Sequence, residues 1–172
     1  MYKRIELKDK QVVSIRTDIH PGDIGSIIYL HGTLYAKEYG FDHTFEPYVA
    51  IPLSEFVNKQ TSRDKLWIVE KKEKVVGSVA ILSCPGNIAQ LRWLIVHPDL
   101  RGYGIGKKLV KEALSFCRTQ KYASVFLWTI DFLDAAVKIY TSAGFRVTES
   151  KIHNVWGRRL TEERYELRLN PD

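Results

Sequence analysis

The sequence predicts an α/β fold with a mixed, mostly antiparallel central sheet, flanked by helices, and one parallel βαβ unit. Three runs with strand-like hydrophobicity follow one another in the middle of the chain, separated only by short turns, which is typical of antiparallel strands. The hydrophobic period then changes to that of a helix, and a short β-rich run follows. This order is the pattern of a right-handed crossover, so the two strands around the helix should be parallel neighbours.

The composition fits one domain that covers residues 1–172. Hydrophobic residues make up 45% and charged residues 27% of the chain, which is the balance of an ordinary globular protein. No apolar run approaches the ~20 residues of a membrane span, and the N-terminus lacks the apolar block of a signal peptide. We therefore expect a cytoplasmic protein without a membrane partner. The two cysteines, Cys84 and Cys117, match no metal motif, so no metal site is predicted.

The first third of the chain predicts one strand and two helices. Alternating residues indicate a strand at Val12–Arg16. Apolar positions at helical spacing predict a helix over residues 24–39, with Asp23 as its N-cap. A second helix is predicted over residues 51–59, with Pro52 in its first turn.

The remaining elements alternate between strands and helices. Charged and glycine-containing turns separate the strands, and the helices begin or end at glycines. The predicted strands are 66–70, 75–82, Ile88–Val96, 124–129, 145–148 and 164–169. The predicted helices are 104–120 and 133–143.

A net charge of +6 favours an anionic ligand. Nucleic acid is not expected, because the basic residues are interleaved with acidic ones and no helix-turn-helix or aromatic-basic platform is present. A small molecule that carries phosphate groups would use the same field.

Residues 101–106, Arg-Gly-Tyr-Gly-Ile-Gly, join a predicted strand to a predicted helix. Glycines at every second position allow close backbone approach to a ligand, and the free amides of a helix N-terminus attract phosphate. The nucleoside-triphosphate loop is excluded because Lys108 replaces its hydroxyl residue, and the dinucleotide fingerprint fails at Lys107. A tight strand-to-helix turn without a ligand remains an alternative.

The residues around this turn resemble the GNAT superfamily of acyl-CoA-dependent N-acyltransferases, over roughly residues 13–169. A short glycine pattern alone would be weak, but three segments occur in the family's order. They are Leu94-x-Val96-x-Pro98-x-x-Arg101-Gly102, Arg101-x-x-Gly104-x-Gly106 and Tyr140-x-x-x-Gly144-Phe145.

The resemblance implies that acetyl-CoA (coenzyme A) is the cofactor and that an amine attacks its thioester directly. It implies an oxyanion held by a backbone amide near Ile95 or Val96, and Tyr140 as the acid that protonates the leaving thiolate. The implied cofactor-binding residues are Leu94, Ile95, Val96, Arg101, Gly102, Tyr103, Gly104, Ile105, Gly106 and Lys107.

Two points stay open beside the resemblance. Tyr140 could instead be a core aromatic on the inner face of its helix. Many family members carry an asparagine that contacts the pantetheine arm, and Leu133 occupies that position here. The main prediction is an N-acetyltransferase acting on a primary amine, and the alternative is a non-catalytic acyl-CoA-binding or sensing module.

The predicted helix over residues 24–39 carries polar side chains on one face, because His31, Tyr35 and Glu38 are spaced four and three residues apart. The run over residues 31–40 is similar to that of acetyltransferase domains fused to MarR-type repressors. We predict His31 and Tyr35 as substrate-binding residues.

An amine must lose a proton before it attacks, and Glu38 is the first candidate for the catalytic base. His153 and Arg92 are further substrate-binding candidates, His153 as a second proton acceptor and Arg92 as a partner for an acidic group. A solvated helix residue, a loop histidine and a sheet-face ion pair are the respective alternatives. The expected partner is a small-molecule or peptide amine, and homodimerisation stays open.

Overall fold

A computed structural model describes residues 2–169, and within them eight strands and four α-helices. The strands are β1 Tyr2–Glu6, β2 Val12–Arg16, β3 Lys65–Lys71, β4 Lys74–Cys84, β5 Ile88–Val96, β6 Ser124–Ile130, β7 Arg146–Val155 and β8 Arg158–Arg168. The helices are α1 Asp23–Tyr39, α2 Phe45–Lys59, α3 Ile105–Thr119 and α4 Asp134–Ser142. In the described part of the chain, no helix is long and apolar enough to cross a membrane.

The strands form one sheet in the order β1-β2-β3-β4-β5-β6-β8-β7. Neighbouring strands are antiparallel except β5 and β6, which are parallel and joined by α3. The predicted fold class is therefore confirmed, including the parallel βαβ unit. The parallel pairing is short, because only residues 88–90 of β5 pair with residues 124–126 of β6.

Helices cover both faces of the sheet. Successive side chains of a strand point to opposite faces, so each strand contributes to the core on both sides. On β3, Leu66 and Ile68 face one core, whereas Trp67 and Val69 face the other. The first core lies beneath α1 and α2 and is rich in aromatic rings. The second lies beneath α3 and α4.

A buried ion pair holds α1 against the sheet. The carboxylate of Asp23 accepts two hydrogen bonds from the guanidinium of Arg16 on β2, at 2.7 and 2.8 Å. Glu70 on β3 accepts a third at 2.9 Å. The prediction that Asp23 is the N-cap of α1 is wrong. Gly22 is the N-cap, with a φ of 93°, and Asp23 is the first residue of the helix. The contact orients α1, which carries three of the predicted site residues.

Several boundaries differ from the prediction for physical reasons. β1 was not predicted because it is a largely exposed strand whose charges hide its alternation. The second helix begins at Phe45 rather than at residue 51, so Pro52 lies inside the helix. Buried residues at Phe45, Val49, Leu53 and Phe56 form a continuous stripe, and their burial outweighs the backbone hydrogen bond that proline removes.

The last hairpin is also longer than predicted. β7 and β8 extend to the turn at Trp156 and Gly157, whose φ angles of 53° and 75° correspond to a two-residue turn that suits the twist of a hairpin. β7 is exposed over most of its length, so it lacks the hydrophobic alternation by which a strand is recognised.

Candidate active site

A β-bulge interrupts the central strand β5. The register between β4 and β5 shifts between Ser78 and Ala80, and Trp93 adopts a φ of 52° there. The Ser78 hydroxyl donates a hydrogen bond of 2.7 Å to the carbonyl of Trp93 and holds this conformation. Left-handed backbone is strained for a bulky residue and is concentrated at functional sites. The bulge bends β5, and β5 and β6 pair only before it, so a gap opens between them.

A first cavity, here called the cofactor cleft, opens on one side of this gap. It lies between the end of β5, the glycine turn, the C-terminal part of α1 and the start of α4. Nine of the ten predicted cofactor-binding residues line it, together with residues of both helices. Tyr103 does not, because it points to the β1–β2 turn and donates a hydrogen bond of 2.8 Å to Asp9.

The three glycines of the turn have different roles. Gly102 and Gly104 adopt φ angles of 82° and 76°, and a Cβ on either would meet no atom within 4 Å, so their backbone borders open space. Gly106 is needed for packing, because a Cβ there would lie 2.9 Å from Cδ1 of Ile139 on α4. The turn thus presents an uncovered backbone at the N-terminus of α3. This arrangement fits a pyrophosphate group.

Glu38 lies in the cofactor cleft, where its carboxylate accepts a hydrogen bond of 2.9 Å from Arg101. The guanidinium of Arg101 also reaches the carbonyl of Val96, at 3.3 Å. The residue predicted as the base thus lies beside Arg101, one of the implied cofactor-binding residues, and does not line the cavity described next.

A second cavity, here called the acceptor cavity, opens on the other side of the gap. It shares Tyr35, Leu94, Leu133 and Ala136 with the cofactor cleft, so the two spaces meet at these four residues. Leu133, the position at which the resemblance led us to expect an asparagine, is buried at this junction. The remaining lining residues are His31, Phe45, Tyr48, Val49, Gln90, Leu91, Arg92, Trp93, Trp128, Thr129, Ile130, Tyr140, Trp156 and Glu162.

Tyr140 lines the acceptor cavity from α4 and is only 5% exposed. Its ring packs against Phe145 and Tyr165, with centroids 6.0 and 6.4 Å away. Burial raises the pKa of its hydroxyl far above the ordinary value, so this group stays protonated at neutral pH. No hydrogen bond joins the hydroxyl to another residue of the described chain.

His31 is buried in α1 and lines the same cavity. Its Nδ1 lies 2.8 Å from the carbonyl oxygen of Ile27, an acceptor, so Nδ1 carries the proton and Nε2 is left as an acceptor. The ring stacks against Tyr35 at 6.1 Å. Burial lowers the pKa of His31 to about 4, so the imidazole is neutral at pH 7.

The low pKa of His31 should make the protein acid-sensitive. In the unfolded chain His31 takes up a proton near pH 6.5, whereas in the folded chain it does so only near pH 4. The free energy of unfolding is therefore highest above pH 6.5 and decreases as the pH falls from 6.5 to 4. The gap between the two pKa values is worth about 3 kcal/mol. Urea unfolding from pH 7 to pH 4.5 should therefore depend less on pH in His31→Gln than in the parent. His43→Gln, at an exposed position, is the control, and parallel curves for all three proteins would contradict the assignment.

The other two substrate-binding candidates are separated by a residue that was not predicted. Arg92 lines the acceptor cavity, whereas His153 lies behind it, with Nε2 2.8 Å from a carboxylate oxygen of Glu162. Glu162 itself lines the cavity and its side chain is 14% exposed. In the sequence, Glu162 is one of several charged residues in a row on β8, and nothing distinguishes it from its neighbours as a site residue.

Four further aromatic rings form much of the wall, and the sequence did not indicate these residues as part of a site. Tyr48 of α2 packs on Trp156 at 4.7 Å, and Phe45 packs on Trp156 at 5.0 Å. Trp156 reaches this place from the β7–β8 turn, where its φ is positive. Trp128 completes the wall from β6. These residues come from different elements, so only the tertiary structure brings them together.

Comparison with known proteins identifies the family. Residues 31–145 match the model of the acetyltransferase (GNAT) family. An uncharacterized N-acetyltransferase of Schizosaccharomyces pombe is 33% identical over 70% of this chain and 75% of its own length. N-acetyltransferase 8B of Homo sapiens is 38% identical over 54% of this chain, and the match spans only 43% of the human protein.

A solved structure shares the fold. The yncA protein of Salmonella typhimurium, a putative acetyltransferase solved with its cofactor acetyl-CoA, aligns over 93% of this chain and 98% of its own. The TM-score is 0.72 at 20% sequence identity. The family match covers the bulge, the glycine turn and Tyr140. The chain belongs to the GNAT family of acetyltransferases, which use acetyl-CoA.

Proposed function

We propose that the chain transfers the acetyl group of acetyl-CoA to a primary amine by direct attack of the amine. The observation that carries this proposal is the meeting of two cavities at the gap between β5 and β6, one lined by the glycine turn and the other by Tyr140. Such a passage lets two substrates approach each other from opposite sides. A covalent enzyme intermediate is not needed.

The cofactor cleft supplies the groups that bind the donor. The amides from Gly102 to Lys107 would hold the pyrophosphate, with the positive charges of Arg101 and Lys107 beside them. When bound, acetyl-CoA supplies a thioester carbonyl to be attacked. Acetyl-CoA in the yncA structure supports this assignment.

The bulge points to the residue that polarises the carbonyl. The family resemblance implied an amide near Ile95 or Val96, whereas Leu94 follows the bulge directly and lines both cavities. We assign the backbone amide of Leu94 as the donor to the carbonyl oxygen. A fixed strand backbone needs no reorganisation for this task.

Proton transfer is assigned to two residues of the acceptor cavity. Tyr140, protonated and without an internal partner, donates to the leaving thiolate. Glu162, the carboxylate of the cavity wall, accepts the proton of the amine, and Nε2 of His153 lies 2.8 Å from this carboxylate. Glu38 is left with a role in the cofactor cleft, as the partner of Arg101.

The assignment of Glu38 gives a clear kinetic expectation. Glu38→Gln should leave kcat within about twofold of the parent, because a partly exposed ion pair contributes little. Acetyl-CoA should bind slightly more tightly, since Arg101 loses a competing carboxylate. Steady-state kinetics and calorimetry test this, with Glu55→Gln on α2 as the exposed control. If turnover instead fell by about 100-fold or more, Glu38 would be identified as the base.

Thiol release from acetyl-CoA with a panel of primary amines tests the function itself. Amine-dependent release with formation of the acetylated amine is expected. Acetyl-CoA binding without release for any amine would leave a binding module and contradict the proposal.

A further inference from the structure

Arg92 is the clearest unexplained charge in the acceptor cavity. Its guanidinium carbon lies 5.0 Å from the ring centroid of Trp93 and 5.8 Å from that of Tyr48. No ion pair in the described part of the chain includes Arg92. A half-buried guanidinium between aromatic rings is only partly compensated without an anion. The position therefore calls for an external negative group.

Two other arginines of the sheet pair with carboxylates. Arg16 on β2 pairs with Asp23 and Glu70. Arg164 on β8 also lies over an aromatic ring, yet it pairs with Glu166 at 3.0 Å. Arg92 makes no such pair within the described residues, and its side chain borders the acceptor cavity.

A donor without a partner lies next to Arg92 on the same strand. The indole N–H of Trp93 is buried and makes no hydrogen bond within residues 2–169. Trp93 also lines the cavity. Of these two neighbouring donors, the guanidinium of Arg92 belongs to a side chain that borders the cavity and is only half-buried, and a guanidinium favours an anionic ligand group such as a carboxylate.

The opposite charge is present in the same cavity. Glu162 contributes a carboxylate to the wall, and the aromatic faces of Tyr48, Trp128 and Trp156 lie around it. Both charges act on the Tyr48 hydroxyl, whose pKa is raised by burial and by Glu162 and lowered by Arg92. The two charges therefore lie close to one small space.

We propose that the acceptor is a free amino acid with an apolar or aromatic side chain. Its carboxylate binds Arg92, its amine faces Glu162 and the gap, and its side chain packs on the aromatic wall. The proposal rests on the proposed function and names its substrate class. Arg92 and Leu94 are two residues apart on β5 and therefore at most about 7 Å from each other, so a small zwitterion held by Arg92 can reach the junction of the two cavities.

The first test compares acceptors that differ in one group. l-Phenylalanine and l-leucine are compared with their amides and with phenethylamine and isoamylamine, which lack the carboxylate. The structure predicts a kcat/KM for the amino acids higher by about 10- to 100-fold, the range of a lost charge-assisted hydrogen bond. Equal values for the three classes would overturn the amino acid assignment and leave the acetyltransferase proposal intact.

The second test asks whether Arg92 causes the preference for amino acids. Arg92→Met should reduce the ratio of kcat/KM for phenylalanine to kcat/KM for phenethylamine to about one, by raising the KM for phenylalanine. Arg92→Lys should retain part of the parental preference. Arg164→Met is the matched control, a ring-stacked arginine outside the cavity, and should keep the parental ratio. An unchanged ratio in Arg92→Met would overturn the proposal. Acetyl-CoA affinity shows that each variant is folded.

A binding measurement separates this inference from the proposed function. Calorimetry of l-phenylalanine with the complex of protein and CoA should show binding that Arg92→Met weakens. Such binding without acetylation of any amine would support the inference and contradict the transfer reaction. Absence of both binding and acetylation would overturn both.

Discussion

Gly104→Val is expected to weaken acetyl-CoA binding by about 100-fold or more, the loss of one or two charge-assisted hydrogen bonds to phosphate. The Cβ at this position would project into open space in the cofactor cleft, where the phosphates are proposed to lie. The residue also adopts a φ of 76°, which costs a side-chain-bearing residue about 1–2 kcal/mol. Calorimetry with acetyl-CoA measures the affinity, and thermal unfolding measures the stability.

Gly86→Val is the matched control. Gly86 has a φ of 79° and lies in the β4–β5 turn, where a Cβ would meet only ordinary contacts with Ile88. It should lose similar stability and keep its acetyl-CoA affinity. Equal affinity in the two variants would contradict a phosphate site at the glycine turn, because backbone strain alone would then account for both results.

Tyr140→Phe is expected to lower kcat by about 10²- to 10⁴-fold, the contribution of a positioned general acid. The substitution removes only the hydroxyl, which has no hydrogen-bond partner in the described chain, so the ring packing and the melting temperature should persist. Acetyl-CoA affinity should change little, since Tyr140 lines the acceptor cavity and not the cofactor cleft. Steady-state kinetics and calorimetry separate the two effects.

Tyr165→Phe provides the comparison for Tyr140→Phe. Tyr165 lies in the same core, but its hydroxyl donates to Glu163 at 2.9 Å and does not face the cavity. Its loss should affect stability more than kcat. If Tyr140→Phe melts much earlier at unchanged kcat, Tyr140 is a structural aromatic. If neither quantity changes, another group supplies the proton.

The cofactor side of the site could be predicted because its information is local. The glycine turn and the start of α3 occupy one short segment, and each residue type there has a direct backbone consequence. The parallel strands followed from the change of hydrophobic period around α3. Only the structure shows that the side chain of Tyr103 lies outside the cleft and donates a hydrogen bond to Asp9.

The sequence indicated His31, Tyr35, Arg92 and Tyr140 of the acceptor cavity. The rest of its wall could not be predicted, because those residues are distant in sequence. Glu162 and Trp156 come from the last hairpin, and Tyr48 comes from a part of α2 that was not predicted to be helical. Glu38 shares a helical face with His31, but it lies about two turns further along α1. At that point the helix borders the cofactor cleft, and Glu38 pairs with Arg101 there. The bulge at Trp93 also escaped prediction, because its cause is a hydrogen bond from Ser78 on the neighbouring strand.

The central claim is that an amine attacks the donor directly across the gap between β5 and β6. Initial velocities measured over a grid of acetyl-CoA and acceptor concentrations, with the best amine of the panel, test it most directly. The account predicts double-reciprocal lines that intersect, because both substrates must be bound together before transfer. Parallel lines, the pattern of a covalent acetyl-enzyme, would contradict it.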